Sequence, residues 1–345
     1  MAPVALMSEH VSLSSSCEPG PSSLPSSTVP PEMSEKYSLL QKVGKGGFAT
    51  VYKAIGLTEE VLATSKRRPY AVKVVEFDAM SGRSETVDKE KEDDKSEQVR
   101  LMTITEVDIM GKADHPSIIK LYDVYEAENQ MWLVIEFMGG GDLEGHVNKY
   151  KGVSEAVGIH VFKQVCEAVD YCHDILGVVH RDLKPENILI LEPPTSADDL
   201  ISVKLADFGL STEYESTKVM KLFCGTPYFF APELMKDAGY SRAVDCWSLG
   251  VILYWMISSK LPFVSRNKEE LTALITSGVF QFPPEQWEGS SESSRDLIKR
   301  LLNTNALKRY SVKEAIDHPW MRGERTVDSL APTVFDMLRV DSMGD

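Results

Sequence analysis

Short runs of alternating apolar and polar residues begin at Tyr37 and recur as far as residue 77. Such runs predict β-strands, and the polar or glycine-containing stretches between them predict turns. A later pair of runs extends this pattern to about residue 136, with a turn expected at Glu128 and Asn129. The folded part of the chain therefore begins with a small antiparallel, β-rich lobe. The runs read YSLLQKVG, ATVYKAIG, YAVKVVEF and IIKLYDVYEAENQMWLVIEF.

One helix is predicted within this lobe, in the segment RLMTITEVDIMGKA. A helical period puts Ile104, Val107 and either Met110 or Gly111 on one face, which we expect to be buried. The stretch before it, 78–100, mixes many charges and shows almost no apolar periodicity. We interpret that stretch as a flexible acidic insertion whose default role is a solvated loop.

Helical periodicity dominates after residue 139 and predicts a second lobe that is mainly α-helical. Short strands are expected there only around HRDLKPENILIL and SVKLADFG. The predicted fold class is α+β, with one domain over 34–320 that divides into an N-lobe (34–136) and a C-lobe (139–320). Residues 1–33 are rich in Ser and Pro and predict a disordered tail, and 321–345 form a C-terminal tail.

Composition and charge narrow the class of function. The 43% hydrophobic and 26% charged residues are typical of a globular protein. A formal net charge of −15 argues against nonspecific binding to nucleic acid or to an anionic membrane, because both need a cationic face. No apolar run reaches the ~20 residues that span a bilayer, and the N-terminus lacks the pattern of a secretion signal. We therefore expect a cytoplasmic protein, with a nuclear location left open.

Two features of the N-lobe suit nucleotide chemistry, although each is weak evidence by itself. Lys73 lies between apolar neighbours of a strand, with Ala71 on the same face, and its buried charge needs a partner. Glu106 of the predicted helix is the candidate partner. The second feature is a glycine-rich turn between two strands, where backbone amides can approach a polyphosphate closely. This turn consists of Gly44, Lys45, Gly46, Gly47, Phe48, Ala49, Thr50 and Val51.

Three motifs follow in the second lobe: His180-Arg181-Asp182-Leu183-Lys184-Pro185-Glu186-Asn187, Asp207-Phe208-Gly209 and Ala231-Pro232-Glu233. They resemble, in order, the catalytic loop, the metal-binding turn and the end of the activation segment in the eukaryotic protein kinase family. The glycine-rich turn and the strand lysine stand upstream of them, as in that family. The resemblance covers about residues 34–320 and implies the bilobal kinase fold.

The resemblance implies that ATP and Mg²⁺ are bound between the lobes. By similarity, Lys73 would hold the α- and β-phosphates while paired to Glu106. Asn187 and Asp207 would bind Mg²⁺ that bridges the phosphates. The glycine-rich turn would cover the phosphates, and its third glycine is replaced here by Ala49, which should still admit them.

Phosphoryl transfer needs two further residues, which the resemblance also supplies. Asp182 would orient the substrate hydroxyl and accept its proton, and Lys184 would stabilise charge on the transferred γ-phosphate. Lys184 at this spacing, together with Gly225-Thr226-Pro227, is similar to the serine/threonine pattern of the family.

The family also implies an apolar slot for adenine. Val51, Ala71 and Leu189 would sandwich the base, with Ile135 behind it. Backbone groups from Glu136 to Met138 would bind its edge. Without the resemblance, these apolar residues would be interpreted as ordinary core.

His115-Pro116-Ser117-Ile118-Ile119 and His318-Pro319-Trp320 are similar to segments of the calcium/calmodulin-dependent kinase group. Kinases of that group usually prefer an arginine three residues before the acceptor, because two carboxylates converge on its guanidinium. Asp142 and Glu186 stand at the matching positions, so protein substrates with basic residues near Ser or Thr are expected. The alternative is that Asp142 only binds the ATP ribose and Glu186 only its local backbone.

Two further residues are assigned structural roles by the resemblance. Asp245 resembles the helix aspartate that braces the backbone of the catalytic loop. Arg309 is placed to pair with Glu233.

Control of activity departs from the family pattern at Leu222, where an activating phosphothreonine usually stands. Arg181 then needs another anion, which an upstream kinase could supply, unless the chain is constitutively active. The candidates are phosphorylated Thr212, Ser216 or Thr217, or the carboxylates of Glu213 and Glu215.

The C-terminal stretch is slightly acidic, unlike the basic amphipathic helices that calmodulin binds, so we do not expect calmodulin as a partner. The rival to an active kinase is a pseudokinase scaffold. That rival usually lacks one of three residues present here: Lys73, Asp182 or Asp207.

Overall fold

A five-stranded antiparallel sheet forms the N-terminal lobe, in the order β1-β2-β3-β5-β4. The computed structural model describes residues 29–46, 48–77, 89–127, 129–213, 227–236 and 241–325, with side chains throughout these ranges except at 89–94, 213 and 236. The strands are β1 (Tyr37–Lys45), β2 (Ala49–Gly56), β3 (Tyr70–Glu76), β4 (Leu121–Ala127) and β5 (Gln130–Glu136). The turn predicted between the last two strands is confirmed at Asn129, while Glu128 lies outside the described residues.

The two faces of β3 have different environments, as its alternation predicted. Val72 and Val74 point into an apolar cluster with Trp132 on the outer face of the sheet. Ala71 and Lys73 face the other lobe, where Lys73 pairs with α3 (Lys89–Lys112). A half-buried strand therefore separates an apolar core from a charged cleft.

Two short helices cover the outer face of the sheet: α1 (Pro31–Lys36) and α2 (Glu59–Thr64). Met33 of α1 is fully buried in the outer cluster beside Tyr37 and Tyr70. The predicted boundary of the disordered tail is therefore wrong for residues 31–33, because one buried methionine is enough to order this turn against the sheet. Residues 1–28 lie outside the described part of the chain.

Helix α3 corrects two expectations. It begins at Lys89, so residues 89–100 of the predicted flexible insertion are helical, whereas 78–88 lie outside the described residues. Of the face predicted from the sequence, Met110 is buried and Val107 packs against the core, but Ile104 is 45% exposed, and the buried Val99 was not included. The buried face carries the polar residues Thr103 and Glu106, and these hid it from an apolar-period search. Both are satisfied, Thr103 by the carbonyl of Val99 and Glu106 by Lys73.

The C-terminal lobe is mainly helical, as predicted. Helix α6 is buried on almost every side, and α9 packs so close to it that a Cβ on Gly250 would come within 2.8 Å of Leu301. This close contact requires glycine at position 250. The helices of the lobe are α4 (Leu143–Tyr150), α5 (Glu155–Tyr171), α6 (Ala243–Ser258), α7 (Lys268–Ser277), α8 (Pro284–Trp287), α9 (Glu292–Leu301) and α10 (Val312–Ile316).

Two small strand pairs lie where the C-lobe meets the N-lobe. They are β6 (Val178–Val179) with β9 (Thr212–Glu213), and β7 (Ile188–Ile190) with β8 (Val203–Leu205). The catalytic loop predicted from the sequence connects β6 to β7, and the Asp-Phe-Gly turn connects β8 to β9. Within the described part of the chain, no helix is both long and apolar enough to cross a membrane.

Candidate active site

Lys73 and Glu106 form an ion pair across the N-lobe. The Lys73 Nζ donates to both carboxylate oxygens of Glu106, at 2.8 and 2.7 Å. Burial acts to lower the pKa of Lys73, but the carboxylates of Glu106 and Asp207 outweigh it and hold this pKa above its ordinary value. The pairing predicted from the sequence is therefore present, and it holds α3 against the sheet with a charged ammonium facing the cleft.

The catalytic loop gathers three of the predicted residues around one carboxylate. Lys184 Nζ donates to Asp182 Oδ2 at 2.7 Å, and Asn187 Nδ2 donates to the same oxygen at 3.1 Å. Asn187 Nδ2 also donates to the Asp182 carbonyl at 2.8 Å. These donors leave Oδ1 of Asp182 available as an acceptor. Burial raises the pKa of Asp182, Lys184 opposes that rise, and the nearby charge of Asp207 adds to it.

A buried carboxylate braces the backbone of this loop. Asp245 of α6 accepts from the amides of His180 and Arg181, both at 2.8 Å, which confirms its predicted position. The sequence interpretation missed His173, whose Nε2 lies 2.8 Å from Asp245 Oδ2. Its signal is a histidine seven residues before His180 at the end of a helix. Arg181 has a positive φ of 68°, so the brace holds a backbone conformation that is unfavourable for a side chain of this kind.

Asp207 is positioned by its neighbours in the turn after β8. The Ala206 amide donates to the Asn187 carbonyl at 2.9 Å, and His180 Nε2 lies 3.2 Å from the Ala206 carbonyl. These bonds bring the carboxylate of Asp207 and the amide of Asn187 to one side of the catalytic loop. No group of three His, Cys, Asp or Glu side chains suited to a metal occurs among the described residues. A carboxylate with an amide oxygen nevertheless fits Mg²⁺, which prefers oxygen ligands and keeps several waters.

The glycine-rich turn lies at the end of the β1–β2 hairpin, next to Lys73. Val51 is the cross-strand neighbour of both Gly44 and Lys73, so the first residue of the turn lies two strands away from the lysine in the same sheet. The Gly46 amide donates to the Ala49 carbonyl at 2.7 Å and closes the turn. Lys45 ends β1 and Phe48 precedes β2, while Gly47 lies outside the described residues.

The four apolar residues expected around adenine come from both lobes. Val51 and Ala71 are buried in the inner face of the sheet, and Ile135 pairs with Ala71. Leu189 of β7 is half-buried in the opposite lobe. The prediction missed Val43, which lies at a β-bulge beside Val51 and is also half-buried.

The connection between the lobes is tied to both. Glu136 ends β5, and its carboxylate pairs with Lys204 of β8 at 2.9 Å. Met138 is 3% exposed and belongs to the core of the C-lobe. A Cβ on Gly140 would lie 2.5 Å from Ile190, so this glycine allows the connection to run against β7. The missed Lys204 has no signal in the sequence beyond its position three residues before Asp207.

Three carboxylates form the acidic rim of the cleft: Asp142, Glu144 and Glu186. Asp142 caps α4, with its Oδ1 accepting from the Gly145 amide at 2.7 Å. Burial raises the pKa of all three residues; Asp142 adds to the rise at Glu144, and Glu144 and Asp142 add to it at Glu186. Within the described residues, none of the three makes a salt bridge. Lys184 is close enough to Glu186 to oppose its rise in pKa, but its ammonium is bonded to Asp182.

The segment that follows Asp207 is described only in part. Thr212 pairs with Val179 in the β6–β9 ladder, and Arg181 Nε donates to the Leu210 carbonyl at 2.5 Å. Ser216, Thr217, Leu222 and Gly225-Thr226 lie outside the described residues, as do the side chains of Glu213 and Glu215. The predicted pair of Arg309 with Glu233 is confirmed at 2.7 and 2.9 Å.

Known proteins are similar in sequence to this chain over most of its length. The family described as "Protein kinase domain" matches residues 37–321. A calcium/calmodulin-dependent protein kinase type 1 of Macrobrachium nipponense is 33% identical over 90% of this chain and 82% of that protein. Myosin light chain kinase A of Dictyostelium discoideum is 33% identical over 87% of this chain and 92% of that protein. A further Dictyostelium protein, named "Probable serine/threonine-protein kinase fhkE", is 36% identical over 83% of this chain and 38% of its own length.

The chain belongs to the protein kinase family. As an enzyme it is an ATP-dependent protein kinase of the serine/threonine type. The bilobal fold expected from the resemblance is confirmed by the five-stranded N-lobe and the helical C-lobe.

Proposed function

We propose that the chain transfers the γ-phosphate of ATP to Ser and Thr hydroxyls of proteins that carry an arginine three residues before the acceptor. The observation that carries this proposal is the acidic rim beside the catalytic loop, where Asp142 and Glu186 form no salt bridge among the described residues and burial raises the pKa of both. A guanidinium is the cation that two converging carboxylates bind best, because it donates several hydrogen bonds in a fixed plane.

The residues around Asp182 suit proton transfer. Its Oδ1 would accept the hydrogen bond of a substrate hydroxyl and then its proton, while Lys184 and Asn187 hold Oδ2. The raised pKa of this buried carboxyl brings it closer to the range useful in a general base. Lys184 would also meet charge that develops on the transferred phosphoryl group.

The N-lobe would hold the nucleotide. Lys73, kept charged by Glu106, would contact the α- and β-phosphates under the backbone amides of the glycine-rich turn. Val51, Ala71 and Leu189 would enclose the adenine, and the backbone from Glu136 to Met138 would bind its edge. Mg²⁺, when bound through Asp207 and Asn187, neutralises phosphate charge.

Control of this activity is a separate part of the proposal. Arg181 lies beside the β6–β9 ladder, so an anion on Thr212 would be near it. Phosphorylation of Thr212, Ser216 or Thr217 by an upstream kinase would supply such an anion, and the alternatives are the carboxylates of Glu213 and Glu215 or an enzyme that is constitutively active. Phosphatase treatment of the pure enzyme separates these cases, since only a phosphate-dependent enzyme would lose activity.

The cellular location of the protein and its independence of calmodulin stay predictions made from the sequence. We propose that the kinase is cytoplasmic. We also propose that its activity does not depend on calmodulin, because the C-terminal stretch is slightly acidic. One relative is named as calmodulin-dependent, so the test is the rate of transfer with and without calcium and calmodulin.

A peptide-array assay tests the proposal. The purified chain, with Mg²⁺ and ATP, would receive peptides with a Ser or Thr acceptor and either Arg or Ala three residues earlier. We expect Arg to raise kcat/KM by about 10- to 100-fold, the value of a charged hydrogen bond. Asp142→Asn combined with Glu186→Gln should remove that advantage and leave the Ala peptide nearly unchanged. Glu285→Gln, an exposed carboxylate of α8, is the matched control.

The outcomes separate the parts of the proposal. Transfer without a preference for arginine would keep the kinase and remove the role of Asp142 and Glu186. No transfer from the enzyme, even after phosphorylation of the activation segment, would favour the scaffold instead.

A further inference from the structure

Lys204 shares one face of the β7–β8 strand pair with Leu189. The two residues lie directly opposite each other in the antiparallel register, so their side chains leave the pair on the same side. On the other side, Val203 and Leu205 are buried in the core of the C-lobe, whereas Lys204 and Leu189 are only half-buried. The ammonium of Lys204 is therefore on the same side as a residue that is proposed to touch adenine.

This ammonium binds two groups that belong to the N-lobe. Lys204 Nζ lies 2.9 Å from Glu136 Oε2, and it donates to the Ile118 carbonyl at 3.4 Å. The side chains of Lys204 and Glu136 are only 15% and 17% exposed. Because water reaches the pair only in part, removal of either charge would leave the other half-buried without its partner, which is costly. The pair therefore links a strand of the C-lobe firmly to the end of β5.

Glu136 is the residue at which the connection between the lobes leaves the sheet. Its amide donates to the Lys120 carbonyl at 2.9 Å, and the Gly139 amide donates to the Leu191 carbonyl at 2.9 Å. These two bonds hold the two ends of the segment 136–138, whose backbone is proposed to bind the edge of adenine. The carboxylate of Glu136 adds a further link at the N-lobe end of this segment, and that link runs to β8.

A second ion pair joins the two lobes beside the same connection, and it is much more exposed. Arg68 Nη2 lies 3.8 Å from Glu192 Oε1, and these side chains are 51% and 69% exposed. Ion pairs in such contact with water contribute little, because solvent screens them. Of these two interlobe pairs, only the one between Glu136 and Lys204 is both short and largely buried.

We propose that Lys204 is a positioning residue for the nucleotide base: it holds the Glu136 carboxylate and thereby fixes the backbone of 136–138, so that the cleft selects ATP over GTP. This inference rests on the proposed function, which puts the edge of adenine against that backbone. Adenine presents an amino donor where guanine presents a carbonyl acceptor, so the two bases need opposite partners. A backbone can discriminate between them only if it is held within about 0.5 Å of the productive position.

Steady-state kinetics with ATP and with GTP test this role on the full-length chain. The measured quantity is the ratio of kcat/KM for ATP to kcat/KM for GTP, with the same peptide and Mg²⁺. Both constants come from one preparation, so the fraction of folded enzyme cancels from the ratio. Lys204→Met keeps a long unbranched side chain without the charge. It should lower the ratio by about tenfold, through a higher KM for ATP with kcat changed by less than about twofold.

Further variants separate the ion pair from its surroundings. Glu136→Gln should lower the ratio to the same extent, and combining it with Lys204→Met should add little, because both changes remove one link. Lys204→Arg should keep most of the ratio, since a guanidinium also pairs with a carboxylate. Arg68→Met is the matched control, because it removes the exposed interlobe pair, and it should leave the ratio unchanged. If Lys204→Met does not fold, Glu136→Gln decides the proposal.

The outcomes distinguish this inference from the proposed function. An unchanged ratio in Lys204→Met and Glu136→Gln would show that the pair does not position the base, while the proposed function would stand. An equal fall of kcat/KM for both nucleotides would also overturn the inference, because the loss would then concern the phosphates or the metal. If the original chain does not prefer ATP to GTP, the proposed contact of adenine with the backbone of 136–138 has itself failed, and the inference fails with it.

Discussion

The interior carboxylates and those of the acidic rim differ in what surrounds them. Glu106, Asp182 and Asp245 are each less than 9% exposed and each has donors from its own chain within hydrogen-bond distance. The rim carboxylates are more accessible, and the described residues offer them no ion pair. Their pKa values are raised, first by burial and then in part by one another.

The difference indicates what each group does. Each interior carboxylate holds partners from its own chain, so removing one would leave a buried donor or charge unpaired, which is costly. The rim carboxylates raise one another's pKa values, so a nearby cation, such as the arginine of the proposed substrate, would stabilise their charged forms. Burial acts to raise the pKa of Asp245, but His173 and the His180 amide outweigh it and hold this pKa below its ordinary value, so charge on Asp245 favours folding. Burial raises the pKa of Glu106 and of Asp182 against the opposing charge of a lysine, so charge on these two carboxyls opposes folding, as it does at the rim.

The largest expected effect is on catalysis, from Asp182→Asn. The variant keeps an acceptor for Lys184 but loses the base, so kcat should fall by about 10²–10⁴-fold. Thermal unfolding should change little by comparison, because the loop remains braced by Asp245. A rate within tenfold of the original would show that Asp182 is not the base.

The next effect is on stability, from Asp245→Asn. The amide group would replace one carboxylate oxygen that now accepts from His173 or from the backbone of His180 and Arg181. We expect the free energy of unfolding to drop by about 3 kcal/mol, measured by chemical denaturation. The control is Asp174→Asn, which breaks surface pairs with Arg242 and Lys313 and should cost much less. Similar losses for both variants would contradict the contrast drawn between buried and exposed carboxylates.

The smallest effect should have the opposite sign. Asp142→Asn, Glu144→Gln and Glu186→Gln together should raise the free energy of unfolding at neutral pH, by about 1 kcal/mol after allowance for solvent screening. The folded-state pKa of each carboxyl lies above its unfolded value, so ionisation costs stability as pH rises through the folded pKa. Below the unfolded pKa the carboxyls are protonated in both states, and the gain should vanish. Denaturation curves at neutral and acid pH would check this prediction. A loss of stability at neutral pH would show that the charges of the acidic rim do not oppose folding.

The sequence predicted most of the fold, and its errors have specific causes. The strands of the N-lobe and their turn at Asn129 followed from alternation, which is a local property. Helix α3 was given a start that was too late, and Ile104 was wrongly placed on its buried face, since Glu106 and Thr103 are polar residues on the buried side. The α1 turn was missed because Met33 is an isolated apolar residue in a Ser- and Pro-rich segment.

The sequence predicted which residues form most of the candidate site, but it did not predict all the contacts between them and their neighbours. Lys73, Asp182, Asn187 and Asp207 were found from motifs, and the structure brings them to one cleft. His173 and Lys204 were missed because each makes its contact with a residue far away along the chain, and neither stands in a motif used here.

The sequence by itself determined the strand pattern of the N-lobe, the mainly helical character of the C-lobe and the catalytic motifs. These depend on local periodicity and on residue identity, which folding does not change. Only the tertiary structure decided which carboxylates have partners, because burial and pairing arise when Asp245 meets the backbone of the catalytic loop 65 positions away in the chain.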